Sequence, residues 1–146
     1  MLYVGEVVFR LKKGLCILAM GFVLVLALTG CEPRRGGGTK VLLNGDLWRG
    51  GSVSPDAAGP RVYVTLDGAA LIDLPFSQAA SVVVQQPDGA LNAIALTGAA
   101  VYMDHANCEN QDCVQMGAVT LENLELRVMG GFIICLPHKV SVEVRE

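Results

Sequence analysis

The chain has 146 residues, of which 17% are charged and 5% aromatic; 11 Lys and Arg face 14 Asp and Glu, for a net charge of -3. That length gives room for one domain. The charge balance disfavours a nucleic-acid binder, which needs clustered Lys and Arg, and a hydrophobic content of 52% disfavours a disordered chain.

The N-terminal segment reads as a leader. Arg10, Lys12 and Lys13 form a basic patch, and an uncharged run of 14 residues follows from Leu15 to Leu28. A permanent membrane helix needs roughly 20 residues, so the run suits a signal-peptide core instead. It ends in Leu28-Thr29-Gly30-Cys31, small residues before a cysteine, as in the bacterial lipoprotein processing box. The implied chemistry is a diacylglycerol thioether on Cys31 and cleavage just before it. The predicted organisation is a signal peptide over 1–30, a lipidated Cys31 with a flexible tether over 31–40, and a β domain over 41–146. Loss of Arg10, Lys12, Lys13 and Glu6 with the leader leaves 8 basic and 13 acidic residues, net -5. Acyl chains would hold the mature protein on the outer side of the cell membrane without embedding it. Glycines 36–38 make the tether flexible.

The body reads as strands. A short strand is expected near Val41 to Leu43, then irregular chain in which Trp48 packs an edge of the core. Val62, Val64 and Leu66 alternate with polar or aromatic neighbours, Asp67-Gly68 turns the chain, and Ala70 to Leu74 returns as the second arm of a hairpin. Ser81 to Gln86 and Leu91 to Leu96 flank the turn at Pro87-Asp88-Gly89. Ala99 to Met103 and Leu124 to Met129 are further strand candidates. Phe132 to Leu136, apolar throughout, reads as a central strand, and Val140, Val142 and Val144 alternate near the C-terminal end. No stretch carries a convincing helical stripe. The expected fold is all-β, a small sandwich or partly closed barrel.

Chemistry-bearing residues concentrate in Cys108-Glu-Asn-Gln-Asp-Cys113 and Cys135-Leu-Pro-His138. Here the chain resembles the NusG domain II family, including its free-standing secreted or lipoprotein relatives in low-GC Gram-positive bacteria. The matching features are the paired Cys108 and Cys113, Gly117 soon after them, and an Ile-rich strand running into Cys135-Leu136-Pro137-His138. The hairpin from Val62 to Pro75 and the segment at Asp88 to Asn92 look like the family's opening and middle. The likeness covers 60–144 and implies a compact β module from a Gram-positive bacterium. Two departures stand out: Glu109 replaces the family's usual Pro, and the stretch from Gly117 to Cys135 is longer, pointing to an extended hairpin. The domains of NusG that engage the transcription machinery have no counterpart here, so no transcription role is carried over.

Three uses of the cysteines compete. An exported compartment permits a disulfide, with Cys108 and Cys113 the favoured pair. Cys108, Cys113, Cys135 and His138 offer three sulfurs and an imidazole, a tetrahedral zinc set. A redox dithiol would use Cys-x-x-Cys before a helix, which this spacing does not match. His138 otherwise makes one packing hydrogen bond, and His105 is expected in an exposed loop. No nucleophile elbow, phosphate loop or His-Glu-x-x-His is present, so no catalytic residue is assigned and no enzyme is expected. Two functional readings follow. One is a non-enzymatic, membrane-anchored module that binds an envelope protein or glycan and needs no cofactor. The other is a metal-binding or redox accessory protein built on the cysteine cluster, with zinc as the cofactor.

Overall fold

The computed structural model describes residues 38–50 and 58–146. The leader, Cys31 and the tether as far as Gly37 lie outside the described residues. Among the described residues, nine strands form two antiparallel sheets: β1 (Lys40–Leu43), β2 (Asp46–Leu47), β3 (Arg61–Leu66), β4 (Ala69–Pro75), β5 (Ala79–Gln85), β6 (Leu91–Thr97), β7 (Val101–Ala106), β8 (Phe132–Cys135) and β9 (Val140–Arg145). A short helix, α1 (Asp112–Gln115), and a 3-10 turn, Leu121–Asn123, lie between β7 and β8.

The five-stranded sheet runs β2-β1-β5-β6-β7 and the four-stranded sheet β4-β3-β9-β8. Neither closes into a barrel, and the domain resembles a β-sandwich. Strand alternation builds the core directly, because successive side chains point to opposite faces. Val62 and Val64, Ile72 and Leu74, Val82 and Val84, Ile94 and Leu96, and Val140, Val142 and Val144 are buried, while their neighbours in sequence face outward or sit half-buried. Trp48 packs against this core.

The tight turns follow their residues. Asn44-Gly45 and Asp67-Gly68 take positive φ at both positions, as a two-residue hairpin whose twist matches its strands requires. Asp67-Gly68 joins the hairpin expected from sequence. Asn44-Gly45 joins β1 to β2, a small hairpin where irregular chain was expected.

The segment after β7 departs further from expectation. Leu124 to Met129 is not a strand but a series of turns, with Leu126 84% and Val128 101% exposed. Local side-chain bonds outcompete the alternation there. Thr120 and Asn123 form a capping box around the 3-10 turn. The Arg127 guanidinium donates to the Met116 and Ala118 carbonyls at 3.0 Å each, and its Nε donates to Gly130 O at 3.1 Å. The longer stretch from Gly117 to Cys135 is therefore a bonded loop and not an extended hairpin. β8 is an edge strand, not a central one; β9 takes the interior position, between β3 and β8.

Candidate metal centre

Three segments bring the cysteines together. The first leaves β7 at Ala106. Asn107 then clamps it to the β5–β6 turn: its backbone N–H donates to Leu91 O, its side-chain oxygen accepts from Leu91 N at 2.7 Å, and its amide donates to Gly89 O at 2.9 Å. This fixes Cys108 one residue further on. The second is α1. Gln111 precedes it with φ of 56°, in the left-handed region, and its side-chain amide donates to the carbonyls of Ala106 and Cys108 at 2.6 Å each. The reversal turns Cys113 inward. The third is β8, where alternation points Ile133 and Cys135 into the core. The Ile134 N–H donates to the Met116 thioether at 3.4 Å, which ties the end of α1 to β8.

The Sγ atoms of Cys108, Cys113 and Cys135 all lie within 4.8 Å of one another, and all three residues are buried. The Cys108 and Cys113 sulfurs are 3.6 Å apart. A disulfide needs about 2.05 Å, so the disulfide expected from sequence is not formed, and all three cysteines are free thiols. The closed turn at Gln111 seats the two sulfurs side by side without joining them. Burial, reinforced by hydrogen bonds with Cys108 and Cys135, pushes the Cys113 thiol up to about 12 from an ordinary 9.0. Without a metal it is a neutral thiol, the opposite of the lowered pKa that a redox nucleophile uses.

The cluster suits a soft metal ion. Metal–sulfur bonds of about 2.3 Å put tetrahedrally arranged sulfurs about 3.8 Å apart, close to the spacing of Cys108 and Cys113. His138 does not complete the set. Its Nδ1 lies 2.8 Å from the Oδ1 of Asn92. The Asn92 amide nitrogen faces the Met103 sulfur at 3.6 Å, which leaves Oδ1 as the acceptor and Nδ1 as the donor. His138 thus makes the packing hydrogen bond that was the plainer expectation. His105 is exposed as expected but lies on β7 and not in a loop, and Asp104, Glu109 and Asp112 are also exposed. Sequence reasoning missed Asn92, Asn107, Gln111 and Met116 as positioning residues. A signal existed for Asn92, which shares the inward alternation of Ile94 and Leu96.

The NusG domain II model matches residues 17–146. The chain belongs to the NusG domain II family. Among solved structures, this NusG domain II chain is similar to a DUF1312 family protein from Enterococcus faecalis V583, with 19% identity, a TM-score of 0.52, and coverage of 60% of this chain and 97% of that one. It is also similar to the Lin0431 protein from Listeria innocua, with 21% identity, a TM-score of 0.51, and coverage of 60% and 95%. At these identities the likeness is one of fold. No curated protein matches the chain. Among the described residues of this family member, no helix is long and apolar enough to cross a membrane.

Proposed function

We propose that this domain is a non-enzymatic accessory module that binds a thiophilic metal ion through Cys108, Cys113 and Cys135. One observation carries the reading: three buried sulfurs from three separate segments converge within 4.8 Å. Buried thiols can serve simply as small apolar side chains, but packing alone does not require three of them to face one another. The basic patch, apolar run and Cys31 box support a lipid-anchored location outside the cytoplasm, and the Enterococcus and Listeria relatives support a Gram-positive source.

The test is metal titration of the full chain, purified reduced and metal-free in detergent. Cadmium should bind at one equivalent and give a thiolate charge-transfer absorption. Cys113→Ser and Cys135→Ser should lose it while keeping the wild-type far-ultraviolet dichroism. Absence of binding by cadmium, zinc and monovalent copper would sink the reading. For location, Cys31→Ala should release the protein from the membrane fraction; retention there would remove the lipid anchor from the account.

A further inference from the structure

We infer that the ion this site takes is monovalent copper, held by sulfur alone and loaded through the cleft beside α1; this rests on the metal-binding reading above. The argument starts from the donor set. A structural zinc site is closed by four protein ligands. Here the described residues converge three sulfurs, and no His, Asp or Glu joins them. The one imidazole that sequence spacing offered, His138, is not in the converging group, and its Nδ1 is bonded to Asn92. At the rim, the Asp112 carboxylate accepts from the Asn110 amide. Soft thiolate sets select monovalent copper and zinc among the common ions. Of the two, copper is satisfied by two or three sulfurs, whereas zinc keeps a fourth position to fill.

The spacing admits either ion, so the donor count decides. Three sulfurs about 2.3 Å from an ion in their own plane stand about 4.0 Å apart, against about 3.8 Å in a tetrahedron. The observed 3.6 Å between Cys108 and Cys113, and the 4.8 Å limit for the set, fall on either side of both values.

The approach is narrow. A cleft of about 40 Å³ has Cys113 and Cys135 in its wall, with Asp112, Leu136 and Pro137 among its other lining residues. A water needs roughly 10–15 Å³ of such space, so the cleft admits an ion with at most a small ligand. Leu136 is 79% exposed at the cleft and offers an apolar lip to whatever delivers the ion. Loading is a ligand exchange. Each cysteine that bonds copper gives its thiol proton to water, the delivering ligand leaves with its own electron pair, and copper stays monovalent throughout.

The experiment uses the full chain, reduced and without oxygen, titrated with monovalent copper against a chromogenic copper chelator and, separately, with zinc. The expected result is one copper per chain, a sulfur-only shell by X-ray absorption, and zinc that is surrendered to a chelator of roughly micromolar affinity. Cys108→Ser, Cys113→Ser and Cys135→Ser should each weaken copper retention at least tenfold, while His138→Ala should leave it within about threefold. If a cysteine variant fails to fold, the wild-type absorption shell decides alone. A nitrogen or oxygen in that shell, or zinc retained against the chelator, overturns the copper assignment and leaves metal binding standing. Failure of copper, zinc and cadmium together overturns both.

Discussion

His138 and Asn92 join the two sheets through one hydrogen bond: the histidine Nδ1 sits 2.8 Å from the amide oxygen of an asparagine that is fully buried. Asn92 lies on β6 of the larger sheet, and His138 in the β8–β9 turn of the smaller one. Leaving a buried polar group without a partner costs about 1–3 kcal/mol. His138→Ala should therefore lower unfolding stability by that amount in urea titration. Asn92→Leu in the same background should recover part of the loss, since it removes the orphaned amide. An unchanged midpoint for His138→Ala would show that the bond carries no net stability.

The Cys113 thiol gives the metal-free protein a pH signature. Its pKa rises on folding, from 9.0 to about 12. A raised folded value means that the neutral form is the one folding favours. The contribution is fully present below pH 9 and is lost as pH climbs toward 12. Metal-free reduced protein should thus lose stability between pH 9 and 11 more steeply than Cys113→Ala does. Parallel denaturation midpoints for the two proteins across that range would refute the assignment.

Arg127 holds the loop between α1 and β8 through carbonyls of four residues, Met116, Ala118, Gly130 and Phe132. Arg127→Ala should destabilise the domain by about 1–3 kcal/mol, the cost of unpaired carbonyls. Arg127→Lys should rescue little, because an ammonium cannot reproduce the planar fork. Amide exchange read residue by residue should show faster opening at 116–132 in both variants; protection equal to wild type would mean that the loop stands without the guanidinium.

Gly131 is required by proximity. A methyl group there would overlap the Val144 carbonyl and crowd the Leu124 side chain. Gly131→Ala should cost about 1–3 kcal/mol as β8 is pushed away from β9, and metal affinity should fall with it, since Cys135 rides on β8. Gly38→Ala, with open space around it, should change stability by less than about 0.5 kcal/mol. Thermal unfolding of both variants checks the pair.

Most of the sheet scaffold was legible because strand alternation and turn chemistry are local. Val62 to Leu74 shows both signals, and the hairpin stands where they place it. Leu124 to Val128 has the same alternation, yet it folds as turns because Thr120, Asn123 and Arg127 bond to nearby backbone. Those bonds depend on how the chain is already bent, which no pattern of apolar residues records. The apolar run at Phe132 fails as a sign of a central place for a related reason. The Ile134 backbone N–H meets the Met116 sulfur and not a further strand. The cysteine cluster was half legible. Spacing grouped Cys108 and Cys113, and the resemblance added Cys135 and His138, but a histidine close to a cysteine in sequence can bond to the other sheet in space.

The order in which these elements pair sets when the site can exist. In the larger sheet β5, β6 and β7 pair with their neighbours in sequence, and such local contacts form fast. The smaller sheet must wait for β9, whose Val144 pairs with Val62 from far up the chain. Cys108 follows the early part, and Cys135 belongs to the late one. Until β9 docks, the folding chain therefore holds the Cys135 thiol apart from Cys108 and Cys113, and the window for mispairing or oxidation closes only with that last strand.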